Sequence, residues 1–394
     1  MPDGRDAIAV RVVERIADVS AAEWDACARD EATAYNPFVS HAFLRALEES
    51  GSATAESGWQ PYHLTIEDSD GRLYGALPTY IKNHSQGEYV FDHGWAHAYE
   101  RAGGHYYPKL QCAVPFSPVT GPRLLVRAST PDSALSPADA GKALAAGLIE
   151  ATRQLGVSSA HVTFCTERDA QTLHSMGYLI RHGHQFHWHN RDYQDFDGFL
   201  AALTSRKRKS IRRERQKVAE IGITVRALTG LDIKPHHWDD FHRFYVDTYD
   251  RKWGYPYLTR AFFDLLQETM VEDVVLMMAE RDGRNIAGAL NLRGGDALFG
   301  RNWGCDQDFK FLHFEACYYS AIDFAIEHGL KRVEAGTQGP HKLHRGYEPV
   351  HTYSAHWVKE ANFREAVDQF LRQERQLKDE EINNFKEFSP YRVE

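Results

Sequence analysis

Residues 274–305 read VVLMMAERDGRNIAGALNLRGGDALFGRNWGC. Two apolar segments flank the pair Asp282-Gly283, which favours a tight turn between antiparallel strands, and a third segment follows Gly294-Gly295. A helical pattern then covers residues 313–329, and a short strand pattern follows at residues 331–336. The order is therefore a meander of strands, then a helix, then a further strand.

The first half of the chain shows a similar order. Residues 62–83 alternate like paired strands around a turn, residues 137–156 have a helical pattern, and residues 159–166 read as a strand. The composition turns polar near residues 190–197. We therefore predict an α/β (α+β) fold of two related domains, residues 1–190 and 191–394. Each would contain a mixed, mostly antiparallel central sheet flanked by helices.

The composition favours a cytoplasmic protein. The 394 residues are 43% hydrophobic, which is ample for folded cores. Apolar runs fall short of the roughly 20 residues that cross a bilayer, and the N-terminus lacks a signal-peptide stretch, so we expect no membrane span. The five cysteines are scattered without a CxxC pair, which argues against a disulfide framework and a cysteine zinc site.

Other common site motifs are absent from the sequence. It contains no GxSxG, Walker, HExxH or dinucleotide-binding glycine motif, which disfavours hydrolases, NTPases, zincins and dehydrogenases. The segment RHGHQFHWHN carries four histidines, but His182 and His184 face one side of a strand while His187 and His189 face the other. Four ligands from one strand therefore cannot converge on an ion, and we expect no metal.

A dense basic run stands out in this acidic chain, whose formal net charge is −9. Residues 205–218 read SRKRKSIRRERQKV, and the pattern predicts one helix over residues 205–221 with Ile211 and Val218 on its buried side. The basic face suits phosphate groups of a donor or of tRNA. A solvated face paired with acidic residues is the alternative. The candidate phosphate-binding residues are Arg208, Lys209, Arg212, Arg213 and Arg215.

Three segments carry a resemblance to a known family: GRNWGC at 300–305, residues 311–357, and YVFDHGWAHAYERAGGHYYPKL at 89–110. They resemble a bacterial family of FemAB-like N-acyltransferases, similar to the FemA, FemB and FemX peptidoglycan aminoacyltransferases and part of the GNAT superfamily. The resemblance implies two tandem GNAT-like domains and transfer of an acyl or aminoacyl group to an amine.

The donor is where the sequence departs from ordinary acetyl-CoA enzymes of that superfamily. Their glycine-rich pyrophosphate loop follows a central strand, but the equivalent stretch here, CDQDFKFLHFEA, contains no glycine. The FemA-like enzymes use aminoacyl-tRNA, so the resemblance favours that co-substrate, with no tightly bound cofactor. An acyl-CoA-dependent N-acetyltransferase, and a non-catalytic module that binds a peptide, a cell-wall precursor or RNA, remain alternatives.

The best candidate for the active site is the segment EAGTQGPHKLHRGYEP at residues 334–349. A strand end followed by a glycine-rich polar loop presents charges and backbone N–H groups to a cleft. Glu334 or His341 would act as the base. Lys342 and Arg345 would hold an anionic group, and Gln338 would contact substrate. The resemblance supports Glu334, His341 and Lys342, and the alternative is a surface loop with Glu334 in an ordinary ion pair.

Neighbouring residues could complete this site. His313 could act as an acid or base at a helix start, whereas Glu315 is expected to cap that helix. On the strand of residues 297–305, Arg301 and Trp303 share a face and could contact substrate, although Trp303 fits a core role better.

A further candidate lies in the first half, at residues 89–110. Aromatic and polar residues around Gly103-Gly104 suit a ligand loop that binds the acceptor, an amine-bearing small molecule or peptide. An aromatic structural loop is the alternative. The candidate residues are Asp92, His93, Tyr106 and Lys109. The expected partners are thus this acceptor and tRNA, without DNA.

Overall fold

The computed structural model describes residues 9–29, 34–68, 70–130, 133–251, 254–336 and 339–392. The chain forms two compact units: Met1–Gly183 with His351–Asp379, and His184–Val350 with Glu380–Glu394. The predicted domains divide the chain once, after residue 190, whereas the first unit also includes a segment from the second half.

The described secondary structure alternates strands and helices. The strands are β1 (Ala9–Val13), β2 (Gln60–Pro61), β3 (His63–Glu67), β4 (Leu73–Leu77), β5 (Thr79–Lys82), β6 (Lys109–Cys112), β7 (Leu125–Val126), β8 (Ser159–Cys165), β9 (Leu179–His189), β10 (Thr224–Thr229), β11 (Val274–Arg281), β12 (Arg284–Arg293), β13 (Ala297–Cys305), β14 (Arg332–Glu334) and β15 (Glu348–Val358). The helices are α1 (Ala21–Ala28), α2 (His41–Glu49), α3 (His93–Arg101), α4 (Pro137–Gln154), α5 (Glu167–Ser175), α6 (Phe196–Ala202), α7 (Ser205–Glu220), α8 (Pro235–Arg251), α9 (Arg260–Thr269), α10 (Leu312–Phe314), α11 (Ser320–Glu327) and α12 (Ala361–Glu387).

The first unit contains two groups of strands. An antiparallel sheet has the order β1-β3-β4-β7, and the predicted hairpin between β3 and β4 is confirmed, with Gly71 at φ 78°. The second group runs β2-β5-β6-β8-β15, in which only β6 and β8 are parallel to each other. Helix α4 begins after Ser136, whose side chain accepts a hydrogen bond from the Asp139 amide, and buries Leu144 and Leu148 in the core.

The second unit is built around the meander that the sequence predicted. β10, β11, β12 and β13 pair antiparallel in that order, and β13 then pairs parallel with β14. Asp282 and Gly283 form the β11–β12 turn with φ of 52° and 72°, as a tight hairpin turn requires. The class of fold, with mostly antiparallel sheets flanked by helices, is therefore confirmed.

Two long strands explain why the compact units differ from the predicted domains. β9 closes the first half of the sequence, yet its residues 187–189 pair with β14 in the second unit. β15 lies in the second half, yet its residues 353–358 pair with β8 in the first unit. An alternating strand pattern gives a strand and its faces but not its neighbour, so one cut in the sequence could not reproduce these units.

Two further segments differ from the sequence-based expectation. The proposed ligand loop at residues 89–110 contains helix α3 and the start of β6, so the interpretation as a loop was wrong for half of it. The helix expected at residues 313–329 is present from Leu312 to Glu327, but residues Glu315–Tyr319 form a π-helical turn within it, between α10 and α11. Such turns often occur at functional sites.

Candidate active site

His341 is the centre of a cluster in the second unit. It lies on a short 3₁₀ segment, Pro340–Arg345, which begins after Gly339 at φ 100°. A side chain at Gly339 would collide with the His341 ring, so glycine is required there for two reasons. The His341 Nε2 lies 2.9 Å from the Tyr318 hydroxyl on the π-helical turn, and its ring packs against Phe314. This holds the imidazole in one orientation.

The electrostatic surroundings keep His341 neutral. Partial burial lowers the pKa of His341, and the positive charges of Arg345 and Lys342 lower it further. A neutral imidazole has one nitrogen free of hydrogen that can accept a proton. The side chain is therefore available as a base near pH 7.

Arg345 fixes the backbone of this segment rather than pointing outward. Its Nη1 donates to the His341 carbonyl at 2.8 Å, its Nε donates to the Tyr319 hydroxyl at 3.0 Å, and its Nη2 donates to Glu214 at 2.9 Å. The guanidinium also lies 3.4 Å from the centre of the Phe314 ring. These contacts give Arg345 a positioning role, and its predicted contact with an anionic substrate group stays a prediction.

Lys342 and Glu334 lie at the end of β14. The Lys342 ammonium donates to the carbonyls of Ala335 and Gly336 at 2.6 and 2.7 Å. Burial, together with the nearby charge of Arg301, lowers the pKa of Lys342 to about 7. Both protonation states of this amine are therefore populated near neutral pH.

The carboxylate of Glu334 is 1% exposed and accepts a hydrogen bond from Arg332 Nε at 3.0 Å. Burial alone would raise the pKa of Glu334, but His187, whose Nε2 lies 3.8 Å away, and Arg332 outweigh it and lower the pKa. Burial also lowers the pKa of His187 to about 4, so near pH 7 Arg332 is the cation that stabilises the Glu334 carboxylate. Glu334 is thus a stable anion and a weak base. Between the two predicted bases, the surroundings favour His341.

The predicted residues on β13 and α10 belong to the same cluster. The Trp303 ring contacts the ring of His313, and His313 in turn contacts Tyr318, with centroids 5.4 and 5.3 Å apart. Arg301 acts electrostatically on both Glu334 and Lys342. Trp303 is half-buried rather than fully enclosed in the core.

Glu315 does not cap the helix, so that prediction was wrong. It follows α10 instead of lying in its first turn, and its carboxylate accepts a hydrogen bond from Arg215 Nη2 at 2.9 Å. Arg215 also pairs with Asp323 at 2.7 Å. One arginine of the basic run is therefore committed to an internal ion-pair network.

Helix α7 brings the basic run to the His341 segment. The helix is confirmed over Ser205–Glu220 with Ile211 and Val218 buried, as predicted. Lys207 Nζ lies 2.6 Å from the ring of His344, and Arg345 pairs with Glu214 on the same helix. Of the other predicted phosphate-binding residues, Arg212 pairs with Asp197, whereas Arg208, Lys209 and Arg213 have no ion-pair partner among the described residues.

Three of the four predicted acceptor residues, Asp92, Tyr106 and Lys109, form a buried network in the first unit. Lys109 contacts Glu88 at 2.8 Å and Asp92 at 2.5 Å, and the Tyr106 hydroxyl donates to Asp92 at 2.6 Å. Burial opposes the charge of Lys109, but the two carboxylates raise its pKa overall. His93 is exposed at the start of α3. Gln338 lies outside the described residues.

Two functional candidates were not predicted. Tyr318 orients the His341 ring, and Glu214 accepts hydrogen bonds from Arg345 and Tyr319. The sequence contains a pattern that could have identified Glu214, because it is the one acidic residue in the run SRKRKSIRRERQKV. An isolated acid among eight cations indicates a specific partner. Tyr318 has no comparable signal, since its position depends on the π-helical turn.

The model of the FemAB_like family, described as peptidoglycan biosynthesis/recognition, matches residues 15–393. The chain belongs to the FemAB-like family. No curated protein matches the sequence significantly.

Solved structures show the same fold for this FemAB-like protein. FemX is similar with a TM-score of 0.53 and 12% identity, over 91% of this chain and 100% of that chain. L-PGS from Bacillus licheniformis is similar with a TM-score of 0.50 and 12% identity, over 87% of this chain and 99% of that chain. The predicted family and fold class are confirmed, and they support an acyltransferase activity. Among the described helices, none combines the length and apolar character needed to span a bilayer.

Proposed function

We propose that this FemAB-like protein transfers an aminoacyl group from aminoacyl-tRNA to the amine of a peptide or small-molecule acceptor, such as a peptidoglycan precursor. The observation that carries the proposal is the contact between the basic helix α7 and the His341 segment. A polyanionic donor lying along Arg208, Lys209 and Arg213 would bring its reactive end close to a neutral imidazole.

The chemistry requires one proton acceptor and one region of positive charge. The acceptor nitrogen attacks the ester carbonyl carbon of the aminoacyl-tRNA, so a C–N bond forms and the ester C–O bond breaks. With Nε2–H donating to the Tyr318 hydroxyl, the Nδ1 of His341 takes the proton of the attacking amine and returns it to the leaving ribose oxygen. The Lys342 ammonium supplies positive charge for the developing oxyanion.

The backbone after β13 disfavours the alternative donor, acyl-CoA. A pyrophosphate site at a helix start needs several unused N–H groups. Here Phe311, the residue before α10, has φ 71°, and two amides at the helix start are already used: Leu312 donates to the Phe309 carbonyl and Glu315 to the Phe311 carbonyl. The absence of glycine from residues 305–316 agrees with this geometry.

Two assays with the purified full chain test the proposed function. Calorimetric titration with CoA and acetyl-CoA at low salt is expected to give no binding heat. Incubation with radiolabelled aminoacyl-tRNA and a peptidoglycan precursor that has a free amine is expected to move the label to that amine. Micromolar binding of CoA without transfer from tRNA would replace this proposal with the acyl-CoA reaction.

We expect the basic helix to determine the salt dependence of tRNA binding. Replacing Arg208, Lys209 and Arg213 together with glutamine removes up to three phosphate contacts, which should weaken binding and reduce the slope of log K against log salt by about 2 to 3. Filter binding at several salt concentrations measures both effects. The matched control replaces three exposed cations of the first unit, Lys142, Arg153 and Arg372, with glutamine. An equal loss in both variants would exclude α7 as the tRNA contact.

We also expect a narrow, bell-shaped dependence of kcat/KM on pH. The midpoint of the acid limb should lie below pH 6.5, the ordinary pKa of histidine. The pKa of His341 is lowered, so His341 stays neutral at and above pH 6.5. The alkaline limb should lie at about 7, where Lys342 loses its proton. A Lys342→Met variant should lose the alkaline limb along with most of its rate. An unchanged alkaline limb in that variant would exclude Lys342 as its source.

A further inference from the structure

A group of three side chains in the first unit has the composition of a metal site. His182 on β9, His351 on β15 and Asp379 on α12 each offer one possible ligand atom to this group. The His182 Nδ1 lies 3.2 Å and the His351 Nδ1 lies 3.7 Å from the same carboxylate oxygen of Asp379. All three ligand atoms lie within 4.8 Å of one another.

We propose that His182, His351 and Asp379 bind a first-row divalent metal ion, for which Zn²⁺ is the reference. Imidazole nitrogen and carboxylate oxygen bind such an ion at about 2.0 to 2.2 Å, so two ligand atoms of a tetrahedral ion are about 3.3 Å apart. The observed separations need only small side-chain rotations to reach that distance. Two nitrogens and one oxygen favour zinc-like ions over calcium or magnesium, which prefer oxygen ligands.

The surroundings allow both the rotation and the entry of an ion. Between 23% and 48% of each side chain is exposed, so an ion can reach the ligands from solvent. The rings of His351 and Tyr353 both pack against the His182 ring, which restricts its orientation without enclosing it. The ligands come from three different elements, unlike the four histidines of one strand that the sequence analysis considered.

Three protein ligands leave a coordination position open. Zinc sites of this kind hold water or a small ligand in the fourth position. His182 and Tyr353 also line a cavity of about 330 Å³, which Glu167 and Asp368 border. The site therefore offers an ion with an exchangeable position beside a cavity whose lining is mostly apolar. The residues of this site are distinct from those of the His341 cluster.

The test uses the full, tag-free chain after removal of metal with a chelator. Titration with ZnCl₂ at pH 7.5 in the calorimeter is expected to show one tight site, and Co²⁺ is expected to give the visible absorption of a nitrogen- and oxygen-ligated ion. His182→Ala, His351→Ala and Asp379→Asn should each weaken the site at least about 10-fold, the size of effect seen for loss of a neighbouring interaction at metal sites.

Matched controls separate this site from unspecific binding. His97→Ala removes an exposed histidine from α3, and Glu380→Gln removes the acid next to Asp379; both should retain the zinc site and the Co²⁺ spectrum. Absence of a tight site in the unmodified chain would overturn the proposal. A site that persists in both His182→Ala and Asp379→Asn would also overturn it. Circular dichroism of each variant verifies its fold, and neither readout depends on transferase activity.

Discussion

Replacement of His341 by alanine is expected to lower kcat for aminoacyl transfer by about 10²- to 10⁴-fold, which is the usual contribution of a positioned general base. The substitution removes the one imidazole that the Tyr318 hydroxyl orients and that nearby positive charge keeps neutral. Single-turnover transfer of a radiolabelled amino acid from tRNA to the acceptor amine measures the effect. The free energy of unfolding should change little, because the ring is partly exposed.

A structural role for His341 predicts different results. His328→Ala removes another histidine of the second unit, one that packs on Phe324 at the end of α11, and it should retain the full rate. Added imidazole should restore part of the rate to His341→Ala, as expected for a missing proton acceptor. A rate within about threefold of the unmodified enzyme, or a melting transition displaced far more than that of His328→Ala, would contradict the assignment of His341 as the base.

Glu334→Ala is expected to destabilise the protein by about 3 kcal/mol, at the lower end of the range for loss of one partner of a buried ion pair. The carboxylate is 1% exposed, and its removal leaves Arg332 without its buried anionic partner. The lower end applies because Arg332 is 28% exposed and keeps its contact with Asp296 at 2.6 Å. Urea denaturation of the unmodified and variant proteins measures the difference.

Glu348→Ala is the matched control, because its ion pair with Arg191 is partly exposed and should contribute no more than about 1 kcal/mol. The pH dependence gives a second test. The pKa of Glu334 in the folded state lies below its ordinary value of 4.5, so its stabilisation is complete above 4.5 and is lost as the pH falls through the folded-state pKa. Equal destabilisation by both variants, or no acid-dependent difference, would show that Glu334 is not held as a buried anion.

The elements of this fold could be predicted where local chemistry decides them. The Asp282-Gly283 turn and the buried pair Ile211 and Val218 each follow from a short pattern, and the structure confirms them. Helix α3 was missed because Gly94 lies within it and paired glycines follow it. Its apolar signal is limited to Trp95 and Ala96, the only residues it buries among those described.

The site could be predicted in residue type but not in arrangement. The sequence indicated His341, Lys342 and the basic run, because polar residues crowd a glycine-rich strand end and cations crowd one helix. It could not indicate that Tyr318 reaches His341, which requires the π-helical turn, or that His182 meets Asp379 from 197 positions away. Those contacts depend on tertiary packing, which places residues of distant segments side by side.

The pairing of β15 with β8 has a consequence for how this protein is made. Residues 351–379 complete the first unit, so a nascent chain that has emerged only as far as residue 190 carries β8 with an unpaired edge. Unpaired edges are sites of aggregation, and contacts between distant segments slow folding. The first unit can therefore be completed only after residues 351–379 have left the ribosome. Expression of residues 1–190 alone should accordingly yield aggregated material, and supplying residues 351–379 in trans is the natural way to rescue it.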